Sequence, residues 1–404
     1  MVQPARLTIL CLASYYKGME FLRECKRQGC RVLLLTSQSL EKEEWPRESI
    51  DEIFYLPDRD KKWELQHAIL GVSHLAKKET IDRIVPLDDF DLETAAALRE
   101  HLRVGGMGET TTRYFRDKLA MRAKAQEEEL PVPAFVHVLN HERLQDFLSR
   151  VPPPWVLKPR SQAGAIGIKK IKTAAELWDA VNMLGDQQSY FLLEEYVPGD
   201  IYHVDTIFYE RKLLFSNASK YGMPPMDVSH GGGVFTTRTL PPGSPEEKEL
   251  AALNERVLSA FNLVRGVSHS EFIRARDSGK LYFLETSARV GGAHIAELIE
   301  AATGINLWAE WAKIEVAGGR DPYHVPIARK DSAGLVISLA RQQWPDTSGY
   351  GDPEIVWRMH KEHHAGLIVK SPKPERVEAL VEAYSRRFQQ DFMAYQPPRE
   401  KPMH

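Results

Sequence analysis

Residues 266–292 read GVSHSEFIRARDSGKLYFLETSARVGG, and the fold turns on how this stretch pairs with itself. Two apolar runs flank Asp277-Ser278-Gly279, the mark of a β-hairpin. With a three-residue connection, Gly279 takes the left-handed position of a bulged turn and Arg276 faces Lys280. Counting back then sets Glu271 directly opposite Glu285. Facing residues stand about 4.5–5.5 Å apart at Cβ, where two carboxylates repel. A divalent cation shared by both removes that repulsion, and magnesium, a hard ion that takes oxygen ligands beside phosphates, is the natural candidate. A two-residue turn at Ser278-Gly279 instead slips the register by one and sends the glutamates to opposite faces. Beyond Glu285 come Ser287, Arg289 and the pair Gly291-Gly292.

Upstream, LKPRSQAGAIGIKKI (157–171) runs a strand ending at Lys158 into a loop with small residues at Ser161, Ala163, Gly164, Ala165 and Gly167. Such a loop can bring N–H groups close to phosphate oxygens, and the lysine adds a compact positive charge. An ordinary flexible hairpin has the same composition. The G-x-x-x-x-G-K-[ST] order of a Walker A loop is absent. LLEEYVPG (192–199) is an apolar strand opening into a linker, suited to offering backbone groups to a flat heterocycle or simply to packing in a core. Alone, Lys118 in RDKLAMR reads as a solvated helical lysine, and His230 in SHGGG as a loop residue, within reach of a substrate or incidental. His363 and His364 are adjacent rather than three or four apart, so no helical metal pair is indicated.

Residues 1 to about 110 alternate strands (RLTILCLAS, CRVLLLTS, DEIFYLP, DRIVPL) with helices, the pattern of a doubly wound parallel sheet. No G-x-G-x-x-G follows the first strand, which disfavours a dinucleotide site. Helices, short strands and the proline connector VPPPW follow, then the strands around the hairpin. The last ninety residues read as a small α/β piece, from DSAGLVISLA to the helix PERVEALVEAYSRRF.

At 404 residues the chain is long enough for two or three domains. Its net charge of -3 and dispersed basic residues disfavour nucleic acid and anionic membranes as partners. No apolar run reaches the ~18 residues of a membrane span, and LTILCLA reads as a buried first strand rather than a signal peptide. Cys11, Cys25 and Cys30 suggest neither a disulfide framework nor zinc spacing, so a reducing cytoplasm is the simplest setting. There is no G-x-S-x-G elbow, and no cysteine shows a cue for a base partner.

Asp117-Lys118, the LKP at Lys158-Pro159, EEYVPG, HSEF and ETSAR follow in an order and at a spacing that resembles the ATP-grasp superfamily. The likeness is greatest to its carboxylate–amine ligase branch, which shares a plan with biotin carboxylase, and it runs from about residue 5 to about residue 317. The resemblance implies an N-terminal pre-ATP-grasp α/β domain over 1–112 and a two-part ATP-grasp domain over 113–317. A mobile lid is expected at about 132–197, and a C-terminal α/β subdomain over 318–404. By the same resemblance, Lys118 and Lys158 contact ATP phosphates under a closing loop that includes Ser161, Gly164 and Gly167. Glu194, Glu195, Tyr196 and Val197 form the hinge beside adenine. Glu271 and Glu285 hold magnesium, with manganese as the alternative ion. Arg289 binds the substrate carboxylate and its acyl phosphate, with Gly291, Gly292 and His230 around the substrate.

The sequence departs from the family at two positions. Ser287 stands where asparagine is usual, so the third metal contact falls to its shorter, weaker hydroxyl or to water. Ile201 stands where an acidic residue often meets the ribose, so Asp200 or His203 would have to substitute. Gly291, Gly292 and Ala293 also replace the glutamine and glutamate with which biotin carboxylase handles bicarbonate, so bicarbonate fixation is rejected. The implied reaction joins a small-molecule carboxylate to an amine through an acyl phosphate and needs no protein nucleophile; a homodimer is compatible with it. A catalytically weak nucleotide sensor on the same fold is one alternative. A purine-pathway-type ligase is the other, but no cluster for a sugar phosphate is visible.

Overall fold

The computed structural model describes residues 6–60, 62–164, 166–226, 228, 232–319 and 321–394. Strands β1 (Thr8–Ala13), β2 (Arg31–Ser37), β3 (Glu52–Leu56) and β4 (Arg83–Pro86) form a four-stranded parallel sheet in the order β3-β2-β1-β4. Both faces are covered, so β1 and β2 carry the unbroken apolar runs Ile9–Ala13 and Val32–Leu35 rather than an alternation. Leu10 and Leu33 meet the helices Leu65–Leu75 and Leu92–Leu102 on one face. Ile9 and Leu34 meet Phe21 of the helix Met19–Arg27 and Trp311 of Leu307–Ala317 on the other. Strand order reverses between β1 and β4, and such sheets take ligands in the crevice beyond the carboxyl ends there. Ser14 and the acidic run Asp88–Asp91 stand at that crevice; Asp91 accepts from Ser14 N at 3.1 and 3.2 Å.

A second, antiparallel sheet has the order β5-β8-β6-β7, with β5 Phe135–His137, β6 Trp155–Pro159, β7 Lys169–Ile171 and β8 Phe191–Glu195. Helices His141–Arg150 and Ala174–Leu184 cover one face, each opened by a side-chain cap: Asn140 accepts from Arg143 N at 2.9 Å, and Thr173 from Glu176 N at 3.2 Å. Leu144, Phe147, Leu177 and Val181 pack there on Trp155, Leu157 and Leu193. Alternation along the strands therefore turns Lys158 and Glu194 to the opposite face.

The largest sheet has eight antiparallel strands in the order β13-β12-β9-β10-β11-β14-β16-β15. They are β9 Gly199–Tyr209, β10 Lys212–Tyr221, β11 Phe235–Thr239, β12 Gly266–Ala275, β13 Leu281–Ser287, β14 Ser332–Leu339, β15 Ile355–Arg358 and β16 His364–Ser371. The C-terminal strands continue this sheet through the β11–β14 pairing, and the helix Pro374–Asp391 seats Val377, Leu380 and Tyr384 on them. Strand β11 is threonine-rich, with Thr236, Thr237 and Thr239 buried, which hides it from a hydrophobic-pattern reading.

The hairpin reaches the expected pairing by an unexpected route. Ala275, not Arg276, faces Lys280, with Ala275 N donating to Lys280 O at 2.9 Å. Gly279 adopts φ +68° at the end of the longer connection. The pairs Arg274–Leu281 and Phe272–Phe283 continue that register, which by itself sets Glu271 against Leu284. A β-bulge at Leu284 takes up one residue, and Glu271 faces Glu285.

Candidate active site

Glu271 and Glu285 line a cavity of about 260 Å³ together with Asp89, Lys118, Gly164 and Arg289. Tyr221 donates its hydroxyl to Glu271 Oε1 at 2.9 Å, and Lys118 Nζ lies 2.6 Å from Glu285 Oε2. Burial alone would raise the Glu285 carboxyl; the Lys118 ammonium outweighs it and holds the group below the usual range. Two facing carboxylates with one lysine on one of them form a hard, negatively charged oxygen set, which fits magnesium or manganese.

Lys118 opens the helix Lys118–Glu127, whose cap Asp117 accepts from Leu119 N at 2.9 Å and also pairs with Arg160. Lys118 Nζ donates to Gln162 O at 2.6 Å, so the small-residue loop lies against it; Ser161 and Gly167 are partly buried there. Lys158 pairs with Glu194, which also meets Arg122 Nε at 2.8 Å. Burial pushes the Lys158 ammonium down to about 8; Glu194 opposes this and Arg122 adds to it. Burial would raise Glu194, but Arg122 and Lys158 hold it low. The Glu194 side chain is thus committed to a buried ion triad. Glu195, Tyr196 and Val197 follow at the end of β8, with Lys170 Nζ 3.5 Å from the Tyr196 ring centroid.

Asp89 reaches the same cavity from the crevice of the N-terminal sheet. It accepts from Arg289 Nε at 2.7 Å, from Arg289 Nη2, and from the Ser287 hydroxyl. Arg289 Nη1 donates to Val290 O at 2.8 Å. Burial opposes ionisation of Asp89, yet the guanidinium beside it holds the carboxyl well below the usual range; the same pairing raises Arg289 despite its burial. Ser287, placed by the resemblance at the third metal contact, donates its hydroxyl to Asp89 and keeps its oxygen lone pairs on the cavity side of that bond open. Asp89 belongs to no motif. Its available signal is position, in an acidic run just after a parallel strand at the strand-order reversal.

Strands β9 and β12 bring together His203, Asp205 and His269. His203 Nδ1 lies 2.7 Å from Asp205 Oδ2, and His269 Nδ1 lies 2.9 Å from Asp205 Oδ1. Burial lowers His203; Asp205 outweighs burial at His269 and pushes it up to about 9. The signal for this cluster is the H-x-D of β9 beside the H-x-E of β12, since alternate residues share a face. His203 is fully buried, and its Nε2 meets Thr237 Oγ1 at 2.8 Å. It therefore does not stand in for Ile201 at a ribose: although the two share a face of β9, both ring nitrogens of His203 are taken, by Asp205 and Thr237, and no edge of the ring is exposed. Asp200 pairs with Lys220 at 2.6 Å.

The two glycines separate. A Cβ on Gly291 would lie 2.8 Å from Asp205 Oδ1 and 3.0 Å from His269 Nδ1, so its missing side chain makes room for this cluster and not, as expected, for substrate. Gly292 faces open space. His230 lies outside the described residues.

Residues 151–297 match the ATP-grasp domain family, and the chain carries an ATP-grasp domain. Over 255 residues it is 29% identical to the L-arginine-specific L-amino acid ligase of Bacillus subtilis; the match covers 61% of this chain and 60% of that protein, less than two thirds of the relative's length. The crystal structure of L-amino acid ligase from Bacillus licheniformis superposes with a TM-score of 0.74 at 18% identity, covering 97% of this chain and 99% of the other. N5-carboxyaminoimidazole synthetase from Staphylococcus aureus, complexed with ADP, gives 0.70 at 14% identity, covering 93% and 96%. These structures share the fold of the chain: a parallel-sheet N-terminal domain followed by the two antiparallel sheets of ATP-grasp proteins. Among the described residues no helix is long and apolar enough to cross a membrane.

Proposed function

We propose that the protein is an ATP-dependent carboxylate–amine ligase, activating a small carboxylate as an acyl phosphate and forming an amide or peptide bond. The observation that carries this is the Glu271–Glu285 pair sharing one cavity with Lys118 and Arg289. Similarity to an L-amino acid ligase supports amino acids as the substrates. The proposed division of labour follows residues 1–112, 113–317 and 318–404, with the lid at about 132–197.

ATP would lie with its phosphates against Lys118, Lys158 and the loop containing Ser161, Gly164 and Gly167. Adenine would sit beside Glu194–Val197, read by backbone groups of Glu195 and Val197. Glu271 and Glu285 would hold magnesium, which when bound offsets phosphate charge. Arg289 has five N–H groups, of which Asp89 and Val290 take three. Held in place by them, it has N–H groups left to orient the substrate carboxylate. A carboxylate oxygen attacks the γ-phosphorus, and the bond to the bridging oxygen breaks to release ADP. The amine nitrogen then attacks the acyl carbon, phosphate leaves with the bonding electron pair, and the nitrogen sheds its proton to phosphate or solvent. Loop closure over the acyl phosphate would keep out hydrolytic water.

The test is ADP release with amino acids and small acids offered singly and in pairs. Release is expected only when both a carboxylate and an amine are present, and Glu285→Ala should abolish it. ATP binding with no pair raising ADP above background would instead favour a nucleotide sensor.

A further inference from the structure

We infer that Arg116 anchors the carboxylate of the amine-bearing substrate, so that the acceptor is an α-amino acid rather than a simple amine. This rests on the ligase reading above. Arg116 is 7% exposed and stands in the wall between two cavities. One is the cavity of Glu271 and Glu285; the other, of about 990 Å³, opens between the N-terminal sheet and the β5–β8 sheet. The guanidinium lies 4.7 Å from the Phe90 ring centroid, a contact that orients it but offers no hydrogen-bond acceptor. Among the described residues its buried Nε makes no hydrogen bond. Glu93 Oε2 is 3.8 Å away, beyond hydrogen-bonding distance, on a side chain 64% exposed.

The neighbouring cations are placed differently. Arg289 is held by Asp89, Lys118 by Glu285, Lys158 by Glu194 and Arg160 by Asp117. A buried guanidinium without a forked partner is costly, and an anion arriving from the larger cavity supplies that partner. The planar fork matches a carboxylate, which it can grip through two parallel hydrogen bonds. In an α-amino acid the amine is one carbon from the carboxylate. Gripping the carboxylate in the shared wall therefore directs the amine toward the acyl phosphate. Trp63, Phe90 and Tyr190 give the larger cavity flat apolar surfaces for the acceptor's side chain.

The experiment uses the full chain with Arg116→Gln and, to keep the charge without the fork, Arg116→Lys. With a saturating donor amino acid, kcat/KM is measured for acceptor amino acids and for their carboxamides. The wild type should favour the free acid at least tenfold, R116Q should treat the two alike, and R116K should fall between. kcat/KM for ATP should stay within twofold. An unchanged acid preference in R116Q overturns the inference, as does a fall confined to ATP, which would make the anion a nucleotide phosphate. Equilibrium dialysis of labelled L-amino acids with magnesium and a non-hydrolysable ATP analogue needs no turnover. It should give two equivalents per chain for the wild type and one for R116Q; equal stoichiometry overturns the anchor. Absent ADP release with an Arg116-dependent second equivalent defeats the ligase reading and leaves the anchor standing.

Discussion

At the scale of single residues, Gly291 and Gly292 are neighbours with unrelated reasons to be glycine. Gly291 lets Asp205 and His269 close against the backbone, whereas Gly292 borders open space. Gly291→Ala should force the buried cluster apart at about 1–3 kcal/mol, the usual cost of overpacking. Because His269 lies 3.8 Å from Glu271, turnover should fall with it. Gly292→Ala should melt like the wild type. Thermal unfolding of the pair, with ADP release beside it, checks this; equal melting temperatures would refute the assignment of Gly291. Asp89 teaches the same lesson from the other side. Nothing in its sequence neighbourhood marks it as a partner of Arg289, and only the chain path brings the two together.

At the scale of elements, β6 and β8 place Lys158 and Glu194 on the face away from the covering helices, where burial pushes the lysine down to about 8 from its ordinary 10.5. Between those values the unfolded chain keeps a proton that the folded chain has shed, so this group's contribution to stability rises with pH there. For function the sign is reversed. A phosphate contact needs the charged form, so kcat/KM for ATP, which reports the free enzyme, should decline as pH rises through about 8. Glu194→Gln removes the charge that most favours protonation and should move the decline to lower pH. A pH profile of both proteins measures it, and a shift to higher pH would contradict the assignment. The hairpin makes a second point at this scale. Turn residues alone do not set the register of the glutamates, because the Leu284 bulge supplies the compensating residue.

At the scale of the whole molecule, Asp89 ties the N-terminal sheet to the hairpin, some 200 residues along the chain. Breaking a buried ion pair from one side costs about 3–5 kcal/mol. Asp89→Ala should therefore lower the melting temperature by several degrees and reduce kcat while leaving KM for ATP nearly unchanged. Calorimetry and steady-state kinetics test this, and wild-type values in both would remove Asp89 from the site. The same scale explains the C-terminal segment. Its own pattern reads as a small α/β piece, but it completes the large sheet by pairing β14 with β11.

The sequence by itself determined the local order: the apolar runs of the parallel strands, the caps at Asn140 and Thr173, and the row of motifs from Lys118 to Arg289. These are short-range properties, carried by periodicity and by residue types whose chemistry is the same wherever the chain goes. The tertiary structure decided which groups meet. It set Asp89 on Arg289, Arg122 on Glu194 and His269 on Asp205, and it placed Arg116 between two cavities. Charges distant along the chain become partners only through sheet register and strand alternation. A one-residue bulge changes both, so these pairings are legible only in the folded molecule.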